Sequence, residues 1–188
     1  MSYNRLFILV EGDDDERFFN RVLKPFFVEK YDSVTLWKYA RKRSEKIKNF
    51  IKSINAMGAD YVYLRDINDA PCITAKKKRI CDKFKEICED KIIIVVKEIE
   101  SWYLAGLSDG DAKKFKINPS KIKTTDNIAK EQFNKLILKN SGDSRINFMI
   151  ELLENFSIET GKIRNKSFKY FSNAHIRSET KPCPKCLK

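Results

Sequence analysis

Long apolar runs are missing from this 188-residue chain; the longest, such as Leu6–Val10 and Ile92–Val96, are far too short to cross a bilayer. The N-terminus has no basic-then-apolar leader, because Leu6–Val10 runs directly into acids, so a cytoplasmic location and no membrane partner are expected. The five cysteines are an odd number without a leader beside them, which argues for free thiols over a disulfide framework. Histidine is almost absent, with His175 alone. Cys183-Pro-Lys-Cys186 has the spacing of half a zinc knuckle, but a closed zinc site needs four ligands. Zinc on Cys183 and Cys186 would therefore require a dimer partner or residues beyond this chain. No glycine-rich phosphate loop of either common type occurs, which ranks a nucleotide-binding domain last. Internal repeats and low-complexity tracts are absent too.

What is present is enough apolar content, 42%, to build a full-sized core in one domain or a compact domain with an extension. The net charge of +12 is concentrated. Lys38 to Asn55 carries seven basic residues against Glu45 alone, and Gly161 to Lys188 carries eight against Glu179 alone, so the remainder is close to neutral. Two basic segments suit a polyanion better than a general solubility charge does; the plain alternative is a pair of solvated helix faces.

The apolar pattern alternates between strand and helix. Arg5-Leu-Phe-Ile-Leu-Val10 reads as a strand buried on both faces, followed by a helix with Asp13 as N-cap and Glu16 completing a capping box, stopped or kinked at Pro25. Val34–Trp37 is a second strand, Ser44–Met57 a helix closed by Gly58, and Tyr61–Leu64 a third strand. A lysine-rich helix carrying Ile80, Phe84, Ile87 and Cys88 leads to a fourth strand at Lys91–Val96. This order implies a Rossmann-like, four-stranded, mainly parallel sheet flanked by helices. Helices at Asp126–Asn140 and Arg145–Asn155, joined at Ser141-Gly142, then form a helical C-terminal extension. The expected boundaries are an α/β core over 1–105, a helical extension packed on it over 106–178, and a flexible tail over 179–188.

Acidic residues cluster where these strands end. Glu11-Gly-Asp-Asp-Asp15 follows the first strand, Asp66-Ile-Asn-Asp69 the third and Glu98-Ile-Glu100 the fourth. Ligands of open α/β sheets bind beyond the carboxyl ends of strands. Carboxylates gathered there repel one another unless a divalent cation compensates, and oxygen ligands without histidine favour Mg²⁺ or Mn²⁺ over zinc. Asp13 to Asp15 also suit a helix N-terminus, and Asp69 before Ala-Pro suits a turn. Glu11 and Asp66 are harder to explain that way, since each ends an apolar strand.

An apolar strand ending in Glu11-Gly12, acids at Asp14 and Asp15, and a later strand ending in Asp66-x-Asn68 resemble the TOPRIM signature of topoisomerases, bacterial primases and OLD-type nucleases. Glu98-Ile-Glu100-Ser-Trp102 with Leu104-Ala105, and Ser167-Phe168-Lys169-Tyr170-Phe171, are similar to motifs of small stand-alone members related to the OLD group. The resemblance implies metal-dependent phosphoryl chemistry on DNA or RNA. It implies Glu11 and Asp66 as catalytic residues, with Glu11, Asp15, Asp66, Asn68, Glu98 and Glu100 holding one or two Mg²⁺ or Mn²⁺ ions. Where the family usually has Asp-x-Asp this chain has Asp66-Ile67-Asn68, and a neutral carbonyl ligand implies weaker cation binding. A nuclease is thus the leading expectation, and an inactive nucleic-acid-binding or regulatory module the alternative. Nucleic acid is the expected partner, met by Arg41, Lys42, Arg43 and Lys46 after strand two and by Arg164 and Lys169 near the end, with Lys166 a candidate for the scissile phosphate. Trp37, Tyr39, Tyr170 and the inward stripe of Phe168 and Phe171 are either base-stacking or core aromatics. A homodimer or partner protein stays open.

Overall fold

A computed structural model describes residues 3–138 and 144–176. They divide into two compact units, one ending at Ile94 and the other beginning at Val95. Ser141-Gly142, Cys183, Cys186 and the whole 179–188 tail lie outside the described residues.

The first unit alternates as the apolar runs predict: β1 (Arg5–Val10), α1 (Asp13–Phe18), α2 (Lys24–Val28), β2 (Ser33–Lys38), α3 (Ser44–Ala56), β3 (Asp60–Asp66), α4 (Ile73–Lys83) and β4 (Ile92–Val95). The strands form one sheet in the order β2-β1-β3-β4, with β1 parallel to both of its neighbours. This is the expected α/β architecture, a four-stranded parallel sheet flanked by helices. From β1 the chain moves outward to β2, then returns past β1 to lay down β3. The direction of winding therefore reverses between β1 and β3, which is where open α/β sheets leave a crevice.

Leu9, Tyr63, Ile92 and Ile94 of the sheet pack with Ile47, Ile51 and Ile54 of α3 and with Ile80 and Phe84. Each such side chain withdrawn from water is worth about 1.5–3 kcal/mol. Gly58 ends α3 at φ 62°, a conformation that disfavours any residue with a Cβ.

Three local expectations change. The N-cap of α1 is Gly12 rather than Asp13, and Asp15 rather than Glu16 reaches back, accepting the Gly12 N–H at 2.9 Å. The break expected at Pro25 comes earlier, as a π-turn over Phe19–Leu23; Pro25 falls in the first turn of α2, where its missing N–H leaves no bond unmade. Ile87 and Cys88 lie beyond α4, which stops at Lys83 because Phe84 leaves the helical region.

The second unit holds α5 (Glu100–Ala105), α6 (Asp109–Lys114), α7 (Lys130–Leu138), α8 (Arg145–Glu154), α9 (Ile158–Arg164) and α10 (Lys166–His175). Helix α7 begins at Lys130 and not at Asp126, whose carboxylate instead accepts the Lys166 N–H at 2.7 Å and so caps α10. Among the described residues no helix is long and apolar enough to cross a membrane.

Every residue of α5 is buried, and Trp102 is its centre. The Trp102 indole N–H donates to Ser167 Oγ at 2.8 Å, and its ring meets Phe168 and Phe171 at 5.2 and 5.5 Å. Ser167 Oγ in turn donates to Asn165 Oδ1, the same atom that caps α10 through the Phe168 N–H. The segments around Trp102 and around Ser167–Phe171 therefore meet as a core. Gly106, just past α5, allows close passage of Phe156; a Cβ there would stand 2.3 Å from the ring.

Ser167→Ala leaves a buried indole N–H without its acceptor and should cost about 1–3 kcal/mol in urea denaturation. Lys169→Ala, on the exposed face of the same helix, should stay within about 0.5 kcal/mol of the wild type.

Candidate functional site

In the first unit, parallel pairing aligns Leu9 with Tyr63, which brings Glu11 abreast of Arg65 one pleat later. Their side chains form an ion pair at 3.4 Å, each about one-third exposed. Beneath them Tyr39 stacks on Tyr63 with ring centres 4.9 Å apart and 12° between planes, and its hydroxyl donates to the Leu64 carbonyl. The Arg65 guanidinium lies 5.7 Å from the Tyr39 ring centre. Burial, with Tyr63 and Glu11 nearby and Arg65 opposing them, pushes the Tyr39 phenol well above the usual tyrosine range, so it stays a donor. Tyr39 is thus core and floor, not a base-stacking surface.

Glu11 uses one oxygen on Arg65. Its second oxygen, Oε2, is buried with no hydrogen-bond partner among the described residues. Such an acceptor costs stability unless something donates to it or coordinates it. Asp66, half-buried, ends β3, the strand paired with β1.

The other acids expected here have separate employments. Asp15 is buried and holds the Gly12 N–H. Asp13 and Glu16 pair with Lys38 at 2.8 and 2.7 Å, and Lys38 keeps the Asp13 carboxyl below the usual range. Asn68 is exposed in the left-handed region at φ 47°, where Asn is tolerated better than most residues bearing a Cβ. Asp69 is exposed and 3.7 Å from Arg79.

Glu98 and Glu100 belong to the second unit. The Glu98 carboxylate accepts the Lys130 N–H that opens α7. Glu100, at the start of α5 and almost wholly buried, pairs with Arg145 of α8 at 2.8 Å. Among the described residues no three His, Cys, Asp or Glu side chains converge as a metal-binding group. What the first unit does bring together is Glu11 and Arg65, paired across the ends of adjacent strands, with Asp66 the last residue of β3.

Of the basic residues, Arg41, Lys42, Arg43 and Lys46 are all exposed. They leave the carboxyl end of β2 directly beside the site, because the Ala40 N–H donates to the Glu11 carbonyl at 3.1 Å. Trp37, just before them, stacks on Phe50 at 4.2 Å. In the second unit Lys166, Lys169 and Tyr170 are exposed on α10, whereas Arg164 is committed to Asp109 at 2.5 Å.

Arg65, which pairs with Glu11, was not singled out from sequence, and neither was Lys76, buried on α4. Arg65 was hidden inside a strand end. Lys76 is one of three consecutive lysines, and only its spacing, four before Ile80 and eight before Phe84, marks the inward face.

Neither a family profile nor any curated protein sequence matches the chain. Solved structures similar to it are the C-terminal region of the Burkholderia pseudomallei OLD protein and that of the Xanthomonas campestris pv. campestris OLD protein. The first has 18% identity and a TM-score of 0.43, covering 93% of this chain and 98% of the other. The second has 16% identity and a TM-score of 0.38, covering 93% and 87%. Likeness of this degree says nothing about individual residues.

Burial raises the Glu100 carboxyl above the usual carboxylate range, against its own backbone N–H, Lys130 and Arg145. The folded chain therefore binds that proton more tightly than the unfolded chain, and ionised Glu100 depends on its counter-charge. Arg145→Met should cost up to about 3 kcal/mol at pH 7. The loss should shrink as pH falls toward the unfolded carboxyl value of about 4.3, because protonated Glu100 needs no partner. Urea denaturation at pH 7 and pH 5 measures this; an equal loss at both would assign the effect to packing.

Proposed function

We propose that the chain is a Mg²⁺- or Mn²⁺-dependent nuclease whose site lies at the carboxyl ends of β1 and β3. The observation that carries this reading is the buried Glu11 Oε2, an acceptor without a donor among the described residues, at the reversal point of a parallel sheet whose neighbouring strand ends in Asp66. Magnesium keeps several waters and is commonly bound through one or two carboxylates plus substrate phosphates, so this donor set fits it, whereas a closed zinc site needs more ligands. A cation held by Glu11 and Asp66 supplies Lewis acidity at a phosphate oxygen and an acidified water.

The remaining work falls to the chain's own residues. Arg65 balances Glu11 and is free to turn toward a phosphate once a cation takes over that role. Tyr39 and Tyr63 exclude water from below. Arg41, Lys42, Arg43 and Lys46 run from the same edge of the sheet and suit a phosphate backbone, and Lys166 and Lys169 offer further exposed cations. A second reading, a binding module without catalysis, draws support from Asn68, whose left-handed backbone accounts for an Asn without any ligand role, and from the use of Asp15 in capping.

Incubation with single- and double-stranded DNA and RNA, with and without Mn²⁺ or Mg²⁺, separates the two, since only the nuclease yields metal-dependent products. Calorimetry should show Glu11→Gln binding Mn²⁺ at least about tenfold more weakly than the wild type, through loss of a charged ligand. Equal affinity would remove Glu11 from the site.

Nucleic-acid affinity should also fall linearly with salt on logarithmic axes. Replacing Arg41, Lys42 and Arg43 by Ala should flatten that slope by up to about 3 units, at roughly 0.9 per phosphate contact. An unchanged slope would make the run a solvated surface only.

A further inference from the structure

Lys76, in α4, is only 7% exposed, as buried as many core residues. Burying an ammonium is costly unless an anion accompanies it. Yet among the described residues its amine makes no ion pair or hydrogen bond. Stem burial alone is ordinary for lysine, whose amine commonly reaches open water. Here the amine also stands among charges: partial burial lowers its proton affinity, Arg65 and Arg79 repel it, and Asp69 and Glu11 attract it.

The pairing of those charges is uneven. Arg65 has Glu11 at 3.4 Å and Arg79 has Asp69 at 3.7 Å. Lys76 is the cation of the three left without a carboxylate of its own. An amine held in place by a helix, half-withdrawn from water and lacking a counter-ion, is arranged to take an anionic oxygen from outside.

We infer that Lys76 is a phosphate-binding residue of the β1/β3 crevice, taking an oxygen of the nucleic-acid backbone. The inference rests on the nuclease reading for the identity of the anion. A cation on α4, within the field of Glu11 and Asp69, explains how a polyanion approaches a site that carries carboxylates. It also gives the crevice a contact distinct from the exposed arginines of the 41–43 run, which attract any phosphate but hold none in one place.

Inorganic phosphate, titrated into the metal-free protein, is the probe. In protein with ¹³C-labelled lysine side chains, the Lys76 Cε resonance, assigned through Lys76→Arg, should move saturably. In calorimetry Lys76→Met, which keeps the volume and removes the charge, should bind phosphate at least tenfold more weakly. Its melting temperature should equal or exceed that of the wild type, since a cation without a counter-ion on a buried side chain has been removed. Phosphate affinity within twofold of wild type in Lys76→Met would overturn the inference. Should that variant fail to fold, the wild-type resonance decides: a saturable shift supports Lys76, and a resonance indifferent to phosphate overturns its role. Phosphate binding that depends on Lys76 supports the inference whether or not the chain cleaves. Metal-dependent cleavage with unaltered kcat and KM in Lys76→Met would leave the nuclease reading intact and sink this one.

Discussion

Parallel pairing between β1 and β3 fixes almost everything of interest in the first unit. Both strands are apolar through their middles because helices and neighbouring strands cover them, and a register slip would turn buried side chains toward water. That constraint aligns Glu11 with Arg65 and leaves Asp66 at the rim. The reversal of winding between the same two strands keeps any crossing helix away from the rim, so charged groups collect at a crevice and not beneath a covering element.

Within that crevice the charges are sorted by what already satisfies them. Asp13, Asp15 and Glu16 are absorbed into local structure: a backbone N–H takes one and Lys38 takes two. Arg79 and Asp69 face each other at the surface, an exposed pair worth little in stability. Among the described residues, Glu11 retains a buried oxygen without a donor, and Lys76 an amine without a counter-ion. Groups held at a cost to the fold are where function is most economically sought, since packing alone gives no reason to keep them.

The second unit follows another logic. Its polar residues with motif-like spacing are committed to architecture. Trp102, Ser167 and Asn165 form one buried chain of hydrogen bonds that joins α5 to α10, and Glu100 with Arg145 ties α5 to α8. A short helix that is buried on all sides has no exposed face for chemistry, and its polar atoms must find partners inside the protein.

The strands, their parallel order and the placement of Glu11 and Asp66 at strand ends were all legible in the sequence. Apolar runs bounded by Gly and Asp can satisfy their backbone in few other ways, and those same runs locate the rim. Helix α3 was legible for the same reason, its stripe of Ile47, Ile51 and Ile54 closing at Gly58. Short helices such as α5 and α6 were not, because six residues carry too little periodicity to show a face. Only the tertiary structure decided which acids are spent on capping or ion pairs, as with Asp15 and Glu100, since a carboxylate's partner comes from elsewhere in the chain. It alone distinguished Lys76 from Lys77 and Lys78: three identical side chains in a row differ only in the direction the helix turns them, and burial of one side chain is decided by what packs against that face.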